Sequence, residues 1–243
     1  MPFVLRLLGL VGVVWSAISL PVFCAELPTK GVVARILIDD SFRLNVLNEL
    51  LAAMSGERRQ LVQRSDHMRA EGLIRLRIAE GPVAWKRSEE VDQDTASAIQ
   101  SIRWSLAMNP ADSFMWMTLY TLESAYKGSG ERAVAYLDQS YVVGPFEGWI
   151  ILRRNKTALA AFSSLDSVAQ QKVSSEFAAI VEAGFTDVAL HNLTSVGWSH
   201  KNRLLAGLQR SDIASRQLLA KRLADQGFEV DVPGVAKEAK IGR

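Results

Sequence analysis

Cysteine is almost absent from this chain of 243 residues, and its absence excludes several kinds of site. Because Cys24 is the only cysteine, the chain forms no intramolecular disulfide and no metal site built from several thiolates. Only seven prolines occur, and β-branched residues rarely alternate, which favours helices over sheets. The 28 basic and 26 acidic residues are spread along the chain without a basic block, so the chain lacks the electrostatic footprint of a nucleic-acid-binding protein.

Residues that catalyse reactions or bind metals are not grouped in the sequence. The three histidines, His67, His191 and His200, are far apart in the sequence, and none belongs to a metal-ligand pattern such as HExxH. Residues 128–133 follow the GxGxxA pattern of dinucleotide sites, but helical rather than strand spacing precedes them. Residues 124–127 have the SxxK spacing of penicillin-recognising enzymes without its companion motifs. We therefore predict no catalytic residue, no metal and no cofactor.

The N-terminus begins with a long apolar run. Arg6 is the only charged residue before Glu26, and the 19 residues from Leu7 to Ala25 approach the ~20 that span a bilayer. A positive start followed by an apolar run predicts either a cleaved signal peptide or an uncleaved anchor. A buried core helix is the remaining alternative. An anchor places the protein in the bacterial inner membrane facing the periplasm, and cleavage leaves it periplasmic.

Apolar residues recur at helical spacing along most of the chain, so the expected fold is all-α. Glycine, proline and serine interrupt this spacing and divide the chain into segments. The predicted segments are a signal peptide or anchor (1–25), an N-terminal helical pair (26–82), a repeat region (83–162), C-terminal helices (163–227) and an extended tail (228–243).

Two stretches share a pattern of a large aromatic, a leucine, small residues and a closing proline. The first stretch contains Trp116, Leu119, Gly128, Ala133, Ser140 and Pro145. The second begins 33 residues after Trp116, at Trp149. Small residues seven apart lie on one helical face, where they let two helices approach closely. The pattern resembles the tetratricopeptide repeat.

This resemblance implies antiparallel helix pairs, stacked as a short array or bundle, with a concave groove lined by the first helix of each pair. By repeat position, the residues that face the groove are Met117, Tyr120, Thr121, Ser124 and Arg154. Basic residues in such a groove would hold an acidic peptide or a sugar acid. The alternative for residues 153–156 is a solvated helical face. The aromatic anchors Trp116 and Trp149 are expected to pack in the core.

The segment 109–155, with its stretches 109–116, 144–149 and 153–155, is also similar to small helical proteins found with bacterial exopolysaccharide assembly systems. The two resemblances imply a non-catalytic envelope scaffold that binds protein partners through its groove, as an accessory to exopolysaccharide synthesis or export. Its expected partners are envelope proteins and, if residues 7–25 stay uncleaved, the inner membrane, but not nucleic acid. The alternative function is a periplasmic enzyme that acts on the cell wall or on glycans.

Overall fold

Helices form the regular structure of this chain. The computed structural model describes Arg6, residues 8–16, Ile36 and residues 44–57, 65–79, 88–127, 130–145 and 147–236. Within these ranges every regular element is an α-helix or a short 3-10 turn, and no strand occurs. The prediction of an all-α protein is therefore confirmed. The chain divides into two compact units, Met1–Pro110 and Ala111–Arg243, and this boundary lies inside the predicted repeat region 83–162.

The first unit is built around three helices: α1 (Leu44–Glu57), α2 (Ser65–Ala79) and α3 (Ser88–Met108). Helix α2 packs against both α1 and α3. On α3 the buried apolar side chains recur every four residues, at Ala98, Ile102 and Leu106, so this helix turns one face inward. On α2 all five residues from 70 to 74 are buried, because helices pack against it on two sides. Gly72 allows the close approach of α2 to α3, because a Cβ there would lie 2.8 Å from Cγ1 of Ile102.

The second unit is a longer series of helices. They are α4 (Ser113–Lys127), α5 (Glu131–Val143), α6 (Gly148–Ala160), α7 (Ser167–Glu182), α8 (Thr186–Ser195), α9 (Lys201–Ala206) and α10 (Ile213–Asp225). Short 3-10 turns lie at Phe162–Ser164, Trp198–His200 and Gly207–Arg210. Helix α4 packs against α5, and α6 packs against α7, so the predicted packing of adjacent helix pairs is confirmed. The tetratricopeptide assignment stays a prediction.

Aspartate side chains cap three helices of the second unit at their N-termini. Oδ1 of Asp112 accepts from the backbone N–H of Met115 at 3.1 Å, as the sequence before α4 predicts. Asp166 caps α7 by accepting from Ala169 N–H at 2.7 Å. Asp212 caps α10 in the same way. These caps satisfy N–H groups that have no partner inside their helices, and so they fix where the helices begin.

The two small residues of the repeat pattern on α5 are both buried. Ala133 and Ser140 have no exposed surface, and Ser140 Oγ donates to the carbonyl of Ser113 at 2.8 Å. This bond joins the start of α4 to the end of α5. At the end of α7, Gly184 has a φ of 81°, a left-handed conformation that favours glycine and ends the helix.

The predicted signal peptide or anchor is described only in part. Residues 8–16 are helical, and their apolar side chains are exposed, Trp15 and Leu10 among them. Apart from Arg6, the rest of the segment 1–25 lies outside the described residues. Where the chain is described, no helix combines the length and the apolar character needed to cross a membrane.

The segment after α10 packs against the helices of its own unit without forming a helix or strand. Val232 is buried, and the ring centres of Phe228 and Trp198 are 5.0 Å apart. Gly227 and Gly234 both have positive φ angles, which bend the chain at either end of this segment. Residues 228–236 therefore form an irregular, packed strap, and residues 237–243 of the predicted tail lie outside the described residues.

Candidate functional site

The structure places Arg154 in the interior of the second unit rather than on an open groove. Its side chain is 0% exposed and projects from α6. Helix α7 packs against α6 and brings the carboxylate of Glu176 to the Arg154 guanidinium. The predicted placement of Arg154 is therefore wrong. A regular repeat array leaves this face of the helix open, whereas α7 covers it here.

The other four predicted groove residues all lie on α4, but they differ in exposure. Met117 and Tyr120 are buried, Thr121 is exposed and Ser124 is half-buried. The Thr121 hydroxyl donates to the carbonyl of Met117 at 3.1 Å, within its own helix. The Ser124 hydroxyl is buried and has no hydrogen-bond partner among the described residues. The five residues do not share one accessible surface, and their role in binding a partner stays a prediction.

A buried polar cluster surrounds Arg154. We call it the arginine cluster, and it consists of Ser113, Ser140, Tyr141, Arg154, Glu176 and the carbonyl of Gly144. Arg154 Nε and Nη2 donate to Glu176 Oε1 at 2.9 and 2.7 Å. Its Nη1 donates to the carbonyl of Ser140 at 2.7 Å, and its Nη2 also donates to that of Gly144 at 3.1 Å. Because every nitrogen of the guanidinium has a partner, the buried charge is compensated and ties α5, α6 and α7 together.

Tyr141 completes the arginine cluster. Its hydroxyl donates to Glu176 Oε2 at 2.7 Å, and Arg154 Cζ lies 4.0 Å from the centre of its ring. Burial raises the pKa of Glu176 above its ordinary value, although the charge of Arg154 and the hydrogen bonds to the carboxylate oppose this. Burial, and next the charge of Glu176, raise the pKa of Tyr141 well above its ordinary value of 10.0. Tyr141 therefore remains a neutral donor, and the cluster is a structural element.

The raised pKa of Tyr141 predicts a loss of stability in alkali. We expect Tyr141→Phe to lower the free energy of unfolding by about 1.5 kcal/mol at pH 7, because a hydrogen bond to a charged group is lost. Above pH 10 the tyrosine ionises in the unfolded chain but not in the folded one. The difference in unfolding free energy between the wild type and Tyr141→Phe should therefore shrink by up to about 1.4 kcal/mol for each further pH unit. Urea unfolding of both proteins between pH 8 and 11 measures this. A constant difference over this range contradicts the prediction.

Helix α6 presents to solvent side chains other than Arg154: Trp149 and Lys156 are exposed, and Arg153 is half-buried. Trp149, Arg153 and Lys156 are four and three residues apart, so they share one helical face. Trp149 is 43% exposed, and its ring centre lies 5.1 Å from that of Phe114. Arg153 Cζ lies 6.0 Å from the centre of the same Phe114 ring. Trp149 is therefore a surface residue supported by Phe114, and the prediction that it packs in the core is wrong.

His191 of α8 extends this exposed face. Its Nε2 lies 3.1 Å from Nζ of Lys156, and both side chains are exposed. Since a lysine ammonium only donates, Nε2 of His191 is the acceptor in this contact. We call the surface formed by Trp149, Arg153, Lys156 and His191 the basic stripe. The basic stripe consists of an exposed indole, two cationic side chains and an imidazole.

The first unit has a separate cavity, about 460 Å³ in volume, between α2 and α3. The lining residues lie within two turns of each helix; they are Met68, Glu71 and Arg75 of α2 and Ser97, Gln100, Ser101 and Trp104 of α3. Trp104, one of these lining residues, is 56% exposed. We call this cavity the α2–α3 pocket.

An ion pair forms one wall of the α2–α3 pocket. Arg75 Nε and Nη2 both approach Oε1 of Glu71, at 3.0 and 2.9 Å. Glu71 is the only carboxylate among the described residues that line the pocket, and it is almost fully buried. Throughout the described part of the chain, no group of three histidine, cysteine or acidic residues is arranged to hold a metal ion.

Sequence reasoning missed Glu176 and Trp104, although each had a signal. Glu176 lies three residues after Val173 and four before Ile180, on the apolar face of α7. A carboxylate at such a position needs a buried partner, and Arg154 is that partner. Trp104 lies two residues after Ile102, which places it on the opposite side of α3 from the buried Ala98 and Ile102.

Comparisons of this chain with protein-family models, with curated proteins and with solved structures gave no match.

Proposed function

We propose that this protein is a non-catalytic helical scaffold of the bacterial cell envelope that binds an acidic protein partner through the basic stripe. The observation that carries the proposal is the exposed Trp149 indole on the same face of α6 as Arg153 and Lys156. Tryptophan and arginine are enriched at the centres of protein interfaces, where they contribute most of the binding energy. The basic stripe thus takes the role that the sequence resemblance gave to the groove.

The support beneath the basic stripe favours its use as a docking surface. The Trp149 ring packs on Phe114, which is itself nearly buried. Helix α6 is held from its other side by Arg154, through bonds to α5 and α7. A surface that is already ordered loses little conformational entropy when a partner binds, so more of the contact energy remains as affinity.

The charge of the basic stripe selects the partner's chemistry. Arg153 and Lys156 are both cationic, and no acidic side chain belongs to the basic stripe. An acidic segment would be attracted before contact and would form charge-assisted hydrogen bonds on binding. The envelope location is part of the proposal and rests on the apolar segment 7–25 as an anchor or signal peptide. An accessory role in exopolysaccharide synthesis or export is the proposed context.

Photo-crosslinking in cells tests this function. A photoreactive amino acid replaces Thr157, which is half-buried beside the basic stripe, and a second protein carries it at the exposed Leu218 of α10. Position 157 should give a discrete adduct with an acidic envelope protein, identified by mass spectrometry, and position 218 should not. Equal adducts from both positions, or none from position 157, would contradict the proposal.

A charge reversal tests the electrostatic part of the proposal. We expect Lys156→Glu to weaken binding of the identified partner, and of a short polyglutamate peptide, by about tenfold, because like charges then face each other. Lys221→Glu is the matched control, since Lys221 is also exposed but lies on α10. Fluorescence anisotropy at low salt measures the peptide affinity. Equal losses in the two variants would mean that net charge, and not the basic stripe, controls binding.

A further inference from the structure

The α2–α3 pocket has the dimensions and the walls of a ligand site. Its volume of about 460 Å³ falls within the roughly 300–1,000 Å³ of small-molecule pockets. Its walls belong to the two helices that meet closely at Gly72, so the lining side chains project from a packed scaffold. This pocket belongs to the first unit and shares no residue with the basic stripe.

The charges that line the pocket cancel. Arg75 and Glu71 form an ion pair in which two guanidinium nitrogens approach one carboxylate oxygen. A phosphate or carboxylate ligand would need an excess of positive charge, and an ammonium ligand an excess of negative charge. The described residues that line the pocket supply neither excess. The electrostatics therefore favour an uncharged ligand.

The remaining lining groups combine hydrogen-bonding side chains with one flat apolar face. Ser97, Gln100 and Ser101 provide hydroxyl and amide groups, which both donate and accept hydrogen bonds. The Arg75–Glu71 pair holds further polar groups in fixed positions, because each restrains the other. Trp104 is more than half exposed, and covering an exposed aromatic ring with apolar C–H groups lowers the free energy.

We propose that the α2–α3 pocket binds a neutral saccharide. A sugar ring has one face of C–H groups, which suits the Trp104 indole, and a rim of hydroxyls, which suits the serine, glutamine and ion-paired groups. A purely apolar ligand would offer no hydrogen bond to Ser97, Gln100 or Ser101, so the desolvation of these side chains would not be compensated. An amphipathic and uncharged ring thus matches every part of the lining, so the protein is a saccharide-binding protein in addition to any protein partner that it holds.

Titration of the full chain with neutral tetrasaccharides tests this site. The panel contains tetrasaccharides of α-linked glucose, β-linked glucose, mannose, galactose and N-acetylglucosamine, each followed by saturation-transfer NMR and calorimetry up to millimolar concentrations. We expect at least one to bind saturably, and Trp104→Ala to weaken that binding by about tenfold or more. Trp104→Phe should lie between the two, because a smaller aromatic face remains. If no member of the panel binds, the proposal is wrong.

Two controls separate this site from the basic stripe and from misfolding. Trp149→Ala also removes an exposed tryptophan but lies in the second unit, so it should leave saccharide binding unchanged. Gln100→Ala removes an exposed polar group from the pocket and should weaken binding without changing the urea midpoint. Unchanged binding by Trp104→Ala overturns the proposal. A Trp104→Ala variant that loses polyglutamate instead of saccharide binding also overturns it and identifies the pocket as a peptide site.

Discussion

Replacing Glu176 with Gln is expected to lower the free energy of unfolding by about 3–5 kcal/mol, the largest effect of any single substitution considered for this protein. The carboxylate of Glu176 accepts two N–H bonds from Arg154 and the hydroxyl hydrogen of Tyr141. Glutamine has the same shape but no charge, so the guanidinium would stay buried without its counter-charge. A lone buried cation costs far more than the pair, since water cannot reach it.

Urea unfolding followed by circular dichroism at pH 7 measures this loss. Glu182→Gln is the matched control, because Glu182 ends the same helix but is exposed. Its effect should stay within about 0.5 kcal/mol. If Glu176→Gln costs no more than Glu182→Gln, the arginine cluster does not stabilise the second unit in the way that its geometry indicates.

A double substitution separates the charge from the packing. Arg154→Met with Glu176→Leu removes both charges together, so neither is left uncompensated. We expect the double variant to lose less free energy of unfolding than the two single variants lose together. The difference, which is the coupling energy, should be about 1–3 kcal/mol. It should still fall below the wild type, because the carbonyl of Gly144 then loses the Arg154 donor. Strict additivity would mean that the two groups act independently.

Much of the helical framework was predictable because it depends on residues close together in sequence. Asp112 caps α4 through an amide three residues away, and Gly184 ends α7 through its own backbone conformation. Apolar spacing within single helices gave the all-α class for the same reason. The small residues Ala133 and Ser140 are buried against a neighbouring helix, which a local pattern of size and spacing already implies.

The candidate site was harder to predict because it depends on contacts between distant segments. Arg154 and Glu176 are 22 residues apart, and only the packing of α7 on α6 decides that Arg154 turns inward. Repeat positions transferred from a regular array carry no information on such a covering helix. Trp149 was expected in the core and lies on the surface for the same reason, because the placement of distant helices decides its exposure. The sequence therefore did not determine which residues of the run 153–156 face solvent; the packing of the helices does.

Gly144→Ala is expected to lower the free energy of unfolding by about 3 kcal/mol, at the upper end of the range for overpacked sites. A Cβ on Gly144 would lie 2.4 Å from Cβ of Ser113 and 2.6 Å from Oε1 of Glu147. The Glu147 side chain is exposed and can move away. Ser113 Cβ is attached directly to the backbone of α4, so relief there requires a backbone shift. Such a shift would also disturb the bond from Arg154 to the Gly144 carbonyl.

Gly148→Ala provides the matched control and decides which property of glycine is required. A Cβ on Gly148 meets no atom within 4 Å, and this residue is the first of α6, so alanine should be neutral or stabilise by up to about 0.5–1 kcal/mol. Gly144 has a φ of −141°, which any residue adopts, so backbone freedom does not explain its presence. A loss in Gly144→Ala alone, measured by urea unfolding, would therefore show that the close approach to Ser113 requires this glycine. Equal stability of the two variants would show that α4 shifts readily, and that the arginine cluster tolerates the shift.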